Sequence, residues 1–261
     1  MTKLFDKNCW VLSWYVMQRN WLVYRKNFIA NISPTLAEPA FYLVALGLGL
    51  GGVVSSVKGH SYIEYLAPGL IVTAVLFTSY FEGSYGFYVR MNYERIFDAV
   101  LSTPVGVTEV VLGEFIWFAL KGAFMAIGTS IVLASVGLMP HPEFLPAILL
   151  IGMGVAIPCG AIGLIASALV PNMHQFQTVY AFLISPLFFF SGLFFPISDL
   201  PVFAQIIVYI FPLAHGVELC QAFFWNEHIL QAILIHGGAL LLQSILLSAF
   251  TFWALGRKLL H

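Results

Sequence analysis

Four ionisable residues stand inside stretches otherwise too apolar to hold a charge: Glu38, Glu82, Glu114 and Lys121. In hydrocarbon a lone charge is costly, so such residues pair, line a wet route or relay protons. Glu82 lies about seven residues from the inner end of its stretch and Lys121 about eleven from the inner end of the next. At helical rise those depths are roughly 10 and 16 Å. A lysine side chain there can reach Glu82 or Glu38, and Glu114 is two turns away on the same helix. The spacing predicts a structural ion pair built on Lys121, with a proton relay as the sharper alternative. His215 and Glu218, three apart, share one face of a short helix, while Cys220 points elsewhere. Two ligands do not make a metal site, so a helix-end contact or a hydrogen bond at an outer gate is expected instead. The sequence holds no Ser-His-Asp order, no paired loop acids and no G-x-x-x-x-G-K-[ST] phosphate loop. It therefore reads as a non-enzyme that hydrolyses no nucleotide itself. Without a basic surface it has no nucleic-acid partner.

The elements that must position these residues are membrane helices. Hydrophobic residues make up 60% of the 261 positions and charged ones 9%, far from a soluble balance. A bilayer crossing needs about 20 apolar residues. Six stretches meet or approach this, at about 29–50, 64–87, 110–138, 144–170, 177–197 and 227–255. The expectation is an all-α, polytopic membrane protein, with residues 1–261 as a single domain. Lys3, Lys7, Arg19, Arg25 and Lys26 precede the first span, Arg90 and Arg95 follow the second, and Arg257 and Lys258 follow the sixth. All fall on one side, which the positive-inside rule assigns to the cytoplasm together with both termini. Lys58 alone is in an opposite-side loop.

Three further elements are expected. Residues 8–28 repeat Trp10, Trp14, Met17, Trp21, Tyr24 and Phe28 at spacings of four and three, an amphipathic helix lying in the membrane interface. Residues 93–101 form a short cytoplasmic helix ended by Ser102-Thr103-Pro104, with Glu94, Arg95 and Asp98 polar and Phe97 and Leu101 apolar. Residues 198–226 are too apolar for a solvated loop. Pro201 and Pro212 cut them into pieces too short to cross, so a re-entrant hairpin is expected, with Ser198 or Asp199 capping its first helix. The run Ser185 to Pro196 packs five phenylalanines into eight positions, including Phe194 and Phe195. These aromatics suit either a greasy substrate route or plain helix packing.

The order of Ala67-Pro68-Gly69-Leu70, Thr103-Pro104, Leu112-Gly113-Glu114, Ser185-Pro186 to Phe195-Pro196, Leu200-Pro201, Pro212-Leu213 and Val217-Glu218 spans nearly the whole chain. It resembles the ABC-2 family of ATP-binding-cassette export permeases. Phe81 to Gly86 and Asp98 to Pro104 look most like its nodulation-factor (lipo-oligosaccharide) exporter branch. The resemblance implies a homodimer in a bacterial inner membrane, served by two ATPase subunits that hold ATP and Mg, with no cofactor in this chain. It makes Glu94, Arg95, Phe97, Asp98 and Leu101 the coupling helix that docks on the ATPase, with residues 171–176 as a second contact. It makes the 198–226 hairpin the outer closure, with Phe194, Phe195, His215 and Glu218, and lines the conduit with spans one, two and five. The implied substrate is a lipo-oligosaccharide, lipid or drug. Gln221 stands where many relatives carry a basic residue, which deprives Glu218 of that partner. The alternative is a gradient-driven carrier using Lys121 and Glu82. Such carriers break helices in matched halves, whereas here one proline-broken hairpin lies near one face.

Overall fold

The computed structural model describes residues 7–49 and 56–260. Among them every regular element is a helix, and one isolated bridge, Val57 to His60, closes a turn. The reason is the solvent: in lipid a helix satisfies its own backbone polar groups.

Helix α1 is Lys7–Lys26. After a break at Asn27, α2 runs over Phe28–Gly47, and α3 follows over Tyr62–Asn92. Helix α4 is Ile96–Leu101, α5 is Val107–Ser135 and α6 is Leu145–Leu169. Helix α7 begins at Gln175–Val179, passes a π turn at Tyr180–Ile184 and ends with Ser185–Phe189. Helices α8, Val202–Tyr209, and α9, Pro212–Trp225, meet at 93°, and α10 is Ile229–Leu259. Five helices are long and apolar enough to cross a membrane, or six if the bent pair counts as one.

Small residues let α3, α5 and α6 approach closely, since packing rather than the hydrophobic effect joins helices in lipid. A Cβ on Gly163 of α6 would lie 2.5 Å from the Tyr80 carbonyl oxygen, and one on Gly122 of α5 would lie 2.6 Å from the Ala156 methyl. Tyr65, Tyr80, Phe118 and Trp117 fill the centre of this three-helix core. Helices α2 and α10 lie outside it, with most of their apolar faces uncovered.

Four expectations change. The stretch 177–197 is not one long helix: α7 stops at Phe189, and Gly192, at φ +88°, turns the chain back. Continuous apolarity concealed that turn. The interfacial helix ends at Lys26, and its aromatic stripe splits. Cys9, Ser13, Val16, Asn20 and Tyr24 are buried on the side that packs against α5, while Trp10 and Trp14 stay exposed. The short cytoplasmic helix expected over 93–101 begins only at Ile96, because Arg95 takes a left-handed conformation (φ 51°) where the chain reverses after Asn92. Neither Ser198 nor Asp199 caps α8, which starts directly after Pro201.

Candidate functional site

The second span carries a π turn at Glu82–Gly86, and this turn sets up the charge constellation. Eight α-helical steps would place positions 82 and 90 about 80° apart around the axis. The extra residue taken up by a π turn returns about 100° of rotation, leaving them within about 20° of one face. On α5, Glu114 and Lys121 are seven residues apart, also about 20° from alignment. The two helices run antiparallel, so acid meets base at both levels. Lys121 Nζ donates to Glu82 Oε2 at 2.6 Å, and Arg90 Nη2 donates to Glu114 Oε2 at 3.0 Å. Arg90 Nη2 also lies 3.3 Å from Glu82 Oε1, bridging the levels.

Helix α1 closes the network. Asn20 Nδ2 donates to Glu114 Oε1 at 3.1 Å, and Arg90 Nη1 donates to Asn20 Oδ1 at 2.8 Å. Glu114 is fully buried, so every oxygen it presents needs such a partner. The expected Lys121–Glu82 pair is present. Glu38 lies elsewhere, while Arg90 and Asn20 are members that the sequence reading missed. Hydropathy ends the second span before Arg90, and no sequence rule locates a π turn. The one available signal was Asn20, a polar residue in register with Ser13 and Val16 on the packing face of α1.

The short helix α4 hangs from this network. Phe97 is buried and stacks on Phe87, ring centroids 4.6 Å apart. The Arg90 guanidinium lies 5.8 Å from the Phe87 centroid, and that of Arg19 lies 5.9 Å from the Phe97 centroid. Phe97 is therefore the anchor of α4 and not part of its outer surface. Glu94, Arg95 and Asp98 are exposed, and Leu101 is half-buried.

Glu38 lines a different space, a groove of about 410 Å³ between α2, α3 and α7, with Tyr42, Phe77, Phe81, Tyr180 and Phe188. Among the described residues no ion pair includes Glu38. At the opposite end of the spans the contacts are mostly neutral. His215 is buried, with Nε2 donating to the Tyr209 carbonyl at 2.8 Å and Nδ1 3.0 Å from His236 Nδ1. Glu218 finds Lys58, between α2 and α3, at 3.8 Å, so a base does face this acid, from a different element. Tyr65 Oη donates to the Gly192 carbonyl at 2.7 Å, pinning the turn that ends α7. Phe194 and Phe195 are half-buried against Phe188 and Phe190 respectively.

A model of the ABC-2 type transporter family matches residues 12–225, which include the charge network, α4 and the Glu38 groove. The chain belongs to that family. It is 34% identical to nodulation protein J of Rhizobium meliloti over 88% of this chain and 86% of that protein. It is 32% identical to nodulation protein J of Rhizobium leguminosarum bv. trifolii over 97% and 94%. The inner membrane transport permease YadH of Escherichia coli is more distant, 22% identical over 79% and 82%. The chain is thus a multi-pass membrane permease of the ABC-2 type, a family whose members are the transmembrane subunits and work with a separate ATPase.

Proposed function

We propose that this permease exports an amphiphile with an oligosaccharide head, a lipo-oligosaccharide, energised by an ATPase that docks on α4. The observation carrying the substrate reading is the groove at Glu38. It joins aromatic walls to a single carboxylate at membrane depth. Tyrosine and phenylalanine faces accept the apolar side of sugars and acyl chains, while a lone acid accepts hydroxyl hydrogens. The groove lies on α2, much of whose surface is uncovered, so a second copy facing it would enclose a conduit.

Both termini and α4 face the cytoplasm in this reading, which the distribution of Lys and Arg supports. Glu94, Arg95 and Asp98 form the docking surface, with ATP and Mg held in the partner, and α8 with α9 close the outer end. ATPase closure then acts as a population shift between two packings of the permease. The gradient-driven alternative needs Glu82 or Lys121 free to exchange protons, whereas Lys121 is ion-paired with Glu82, and Glu82 also faces Arg90.

The test is reconstitution with the ATPase encoded beside this permease, comparing wild type with Asp98→Lys and Glu38→Gln. Asp98→Lys is expected to abolish co-purification. Glu38→Gln is expected to keep the complex but lose lipo-oligosaccharide stimulation of ATP hydrolysis. A permease that binds no ATPase and transports without ATP would overturn the reading.

A further inference from the structure

A second cavity, of about 420 Å³, lies between α1, α3 and α5, apart from the Glu38 groove. Its wall includes Arg19, Tyr24, Asn31, Arg90, Trp117 and Lys121, with Glu82 and Glu94 as its acids. The donors are unevenly committed. Lys121 and Arg90 are ion-paired, whereas among the described residues no ion pair includes Arg19. Arg19 gives one hydrogen bond, from Nη2 to Asn20 Oδ1 at 2.7 Å, and its Nε is buried with no hydrogen-bond partner. The Tyr24 hydroxyl is likewise buried and without a partner. Of the acids, Glu82 is taken up by Lys121 and Arg90, and Glu94 is exposed to solvent.

Burial, and next the like charge of Arg90, draw the Arg19 guanidinium below its usual pKa against the opposing pull of Glu114, Glu94 and Glu82. Unsatisfied buried donors in a native protein call for an explanation. Here they share a wall with a half-buried arginine, the residue best shaped for forked contacts to oxyanions. One lining residue, Val23, is apolar and exposed, and Leu22 and Ile29, near it in the chain, are exposed as well.

We propose that this cavity binds the anionic phosphate headgroup of a membrane amphiphile, with Arg19 as its anchor and the acyl chains along Val23 and Ile29. Its placement in the inner leaflet rests on the orientation proposed above; the binding does not.

The test uses the whole purified chain in nanodiscs without any ATPase, so that failure of docking or transport leaves it readable. Native mass spectrometry would count lipid retained from phosphatidylglycerol or phosphatidylcholine discs. Wild type is expected to retain phosphatidylglycerol about tenfold better than Arg19→Gln, a difference of about 1.4 kcal/mol. Arg25→Gln, exposed on the same helix, is expected to retain it as wild type does. Tyr24→Phe should leave thermal stability unchanged or raised, because it deletes an unpartnered hydroxyl, yet reduce retention. It remains readable should Arg19→Gln fail to fold. Competition by millimolar inorganic phosphate would assign the site to free anions, and its absence to a lipid headgroup. Equal retention of the two lipids, or retention untouched by both substitutions, would overturn the proposal.

Discussion

The two ends of the helix bundle are held together by different physics. At the α4 end, Glu82, Arg90, Glu114 and Lys121 interlock across two helices, and Asn20 ties in a third. At the other end the links among the described residues include a histidine pair, a tyrosine-to-carbonyl bond and the Lys58–Glu218 ion pair at 3.8 Å. A buried charge cannot leave its partner cheaply, so the first cluster moves as a block or not at all. Neutral hydrogen bonds are each worth about 1 kcal/mol net and can be exchanged one at a time. The contrast suits a permease that takes force at one end and opens at the other. If ATPase docking moves α4 as proposed, the block hands that motion to the spans and the weaker end yields.

The largest break in that contrast should come from Arg90. Arg90→Met leaves the fully buried Glu114 with Asn20 as its remaining partner and no counter-charge, while Glu82 keeps Lys121, and is expected to cost about 3–5 kcal/mol. Thermal unfolding in detergent would show it as a large fall in midpoint. Adding Glu114→Gln removes the stranded charge and should restore part of the loss. A single variant as stable as wild type would show that the cluster is not the rigid end.

Lys121→Met should cost less, about 1–3 kcal/mol, because Glu82 keeps Arg90 at 3.3 Å. The more telling readout is coupling. If the block transmits motion, this variant should hydrolyse ATP with its partner yet lose substrate stimulation. Retained stimulation at reduced stability would assign Lys121 a packing role only.

Part of this contrast was legible in the sequence, and the reason for the rest is geometric. Lys121 and Glu82 were legible because charges are rare in apolar helices, and antiparallel neighbours fix their depth. Arg90 was not, because its face depends on one extra residue in the π turn after Glu82. The long, apolar helices α5 and α6 fall close to where hydropathy puts them. Helix α7 does not, since Gly192 and the Tyr65 bond end a stretch that composition alone continues. Phe97 misled for a related reason: periodicity marks it as apolar without saying which surface covers it. The Lys58–Glu218 pair joins residues 160 positions apart, a contact that only the folded chain reveals.

At the yielding end, Tyr65→Phe removes the donor holding the Gly192 carbonyl. The cost should be about 1 kcal/mol, since Gln221 Nε2 stands 3.5 Å away and can take over the acceptor. Its effect on transport should exceed its effect on unfolding, because the turn it pins ends the helix that walls the Glu38 groove.

The smallest effect is expected from Lys58→Ala. Its ion pair with Glu218 is long, and both side chains are partly exposed, 35% and 21%. Pairs of this kind contribute less than about 1 kcal/mol. Lys58 also lies 5.9 Å from the Trp225 ring centroid, a contact worth a similarly small amount at an exposed site. The variant should unfold within a degree or two of wild type, and raising the salt concentration should change the wild type as little. That near-silence sharpens the contrast, because removing a charge here costs little where removing Arg90 costs several times more. If Lys58→Ala instead matched Arg90→Met in the fall of its midpoint, both ends would be locked by charge. The opening motion would then have to be sought in the groove between α2, α3 and α7.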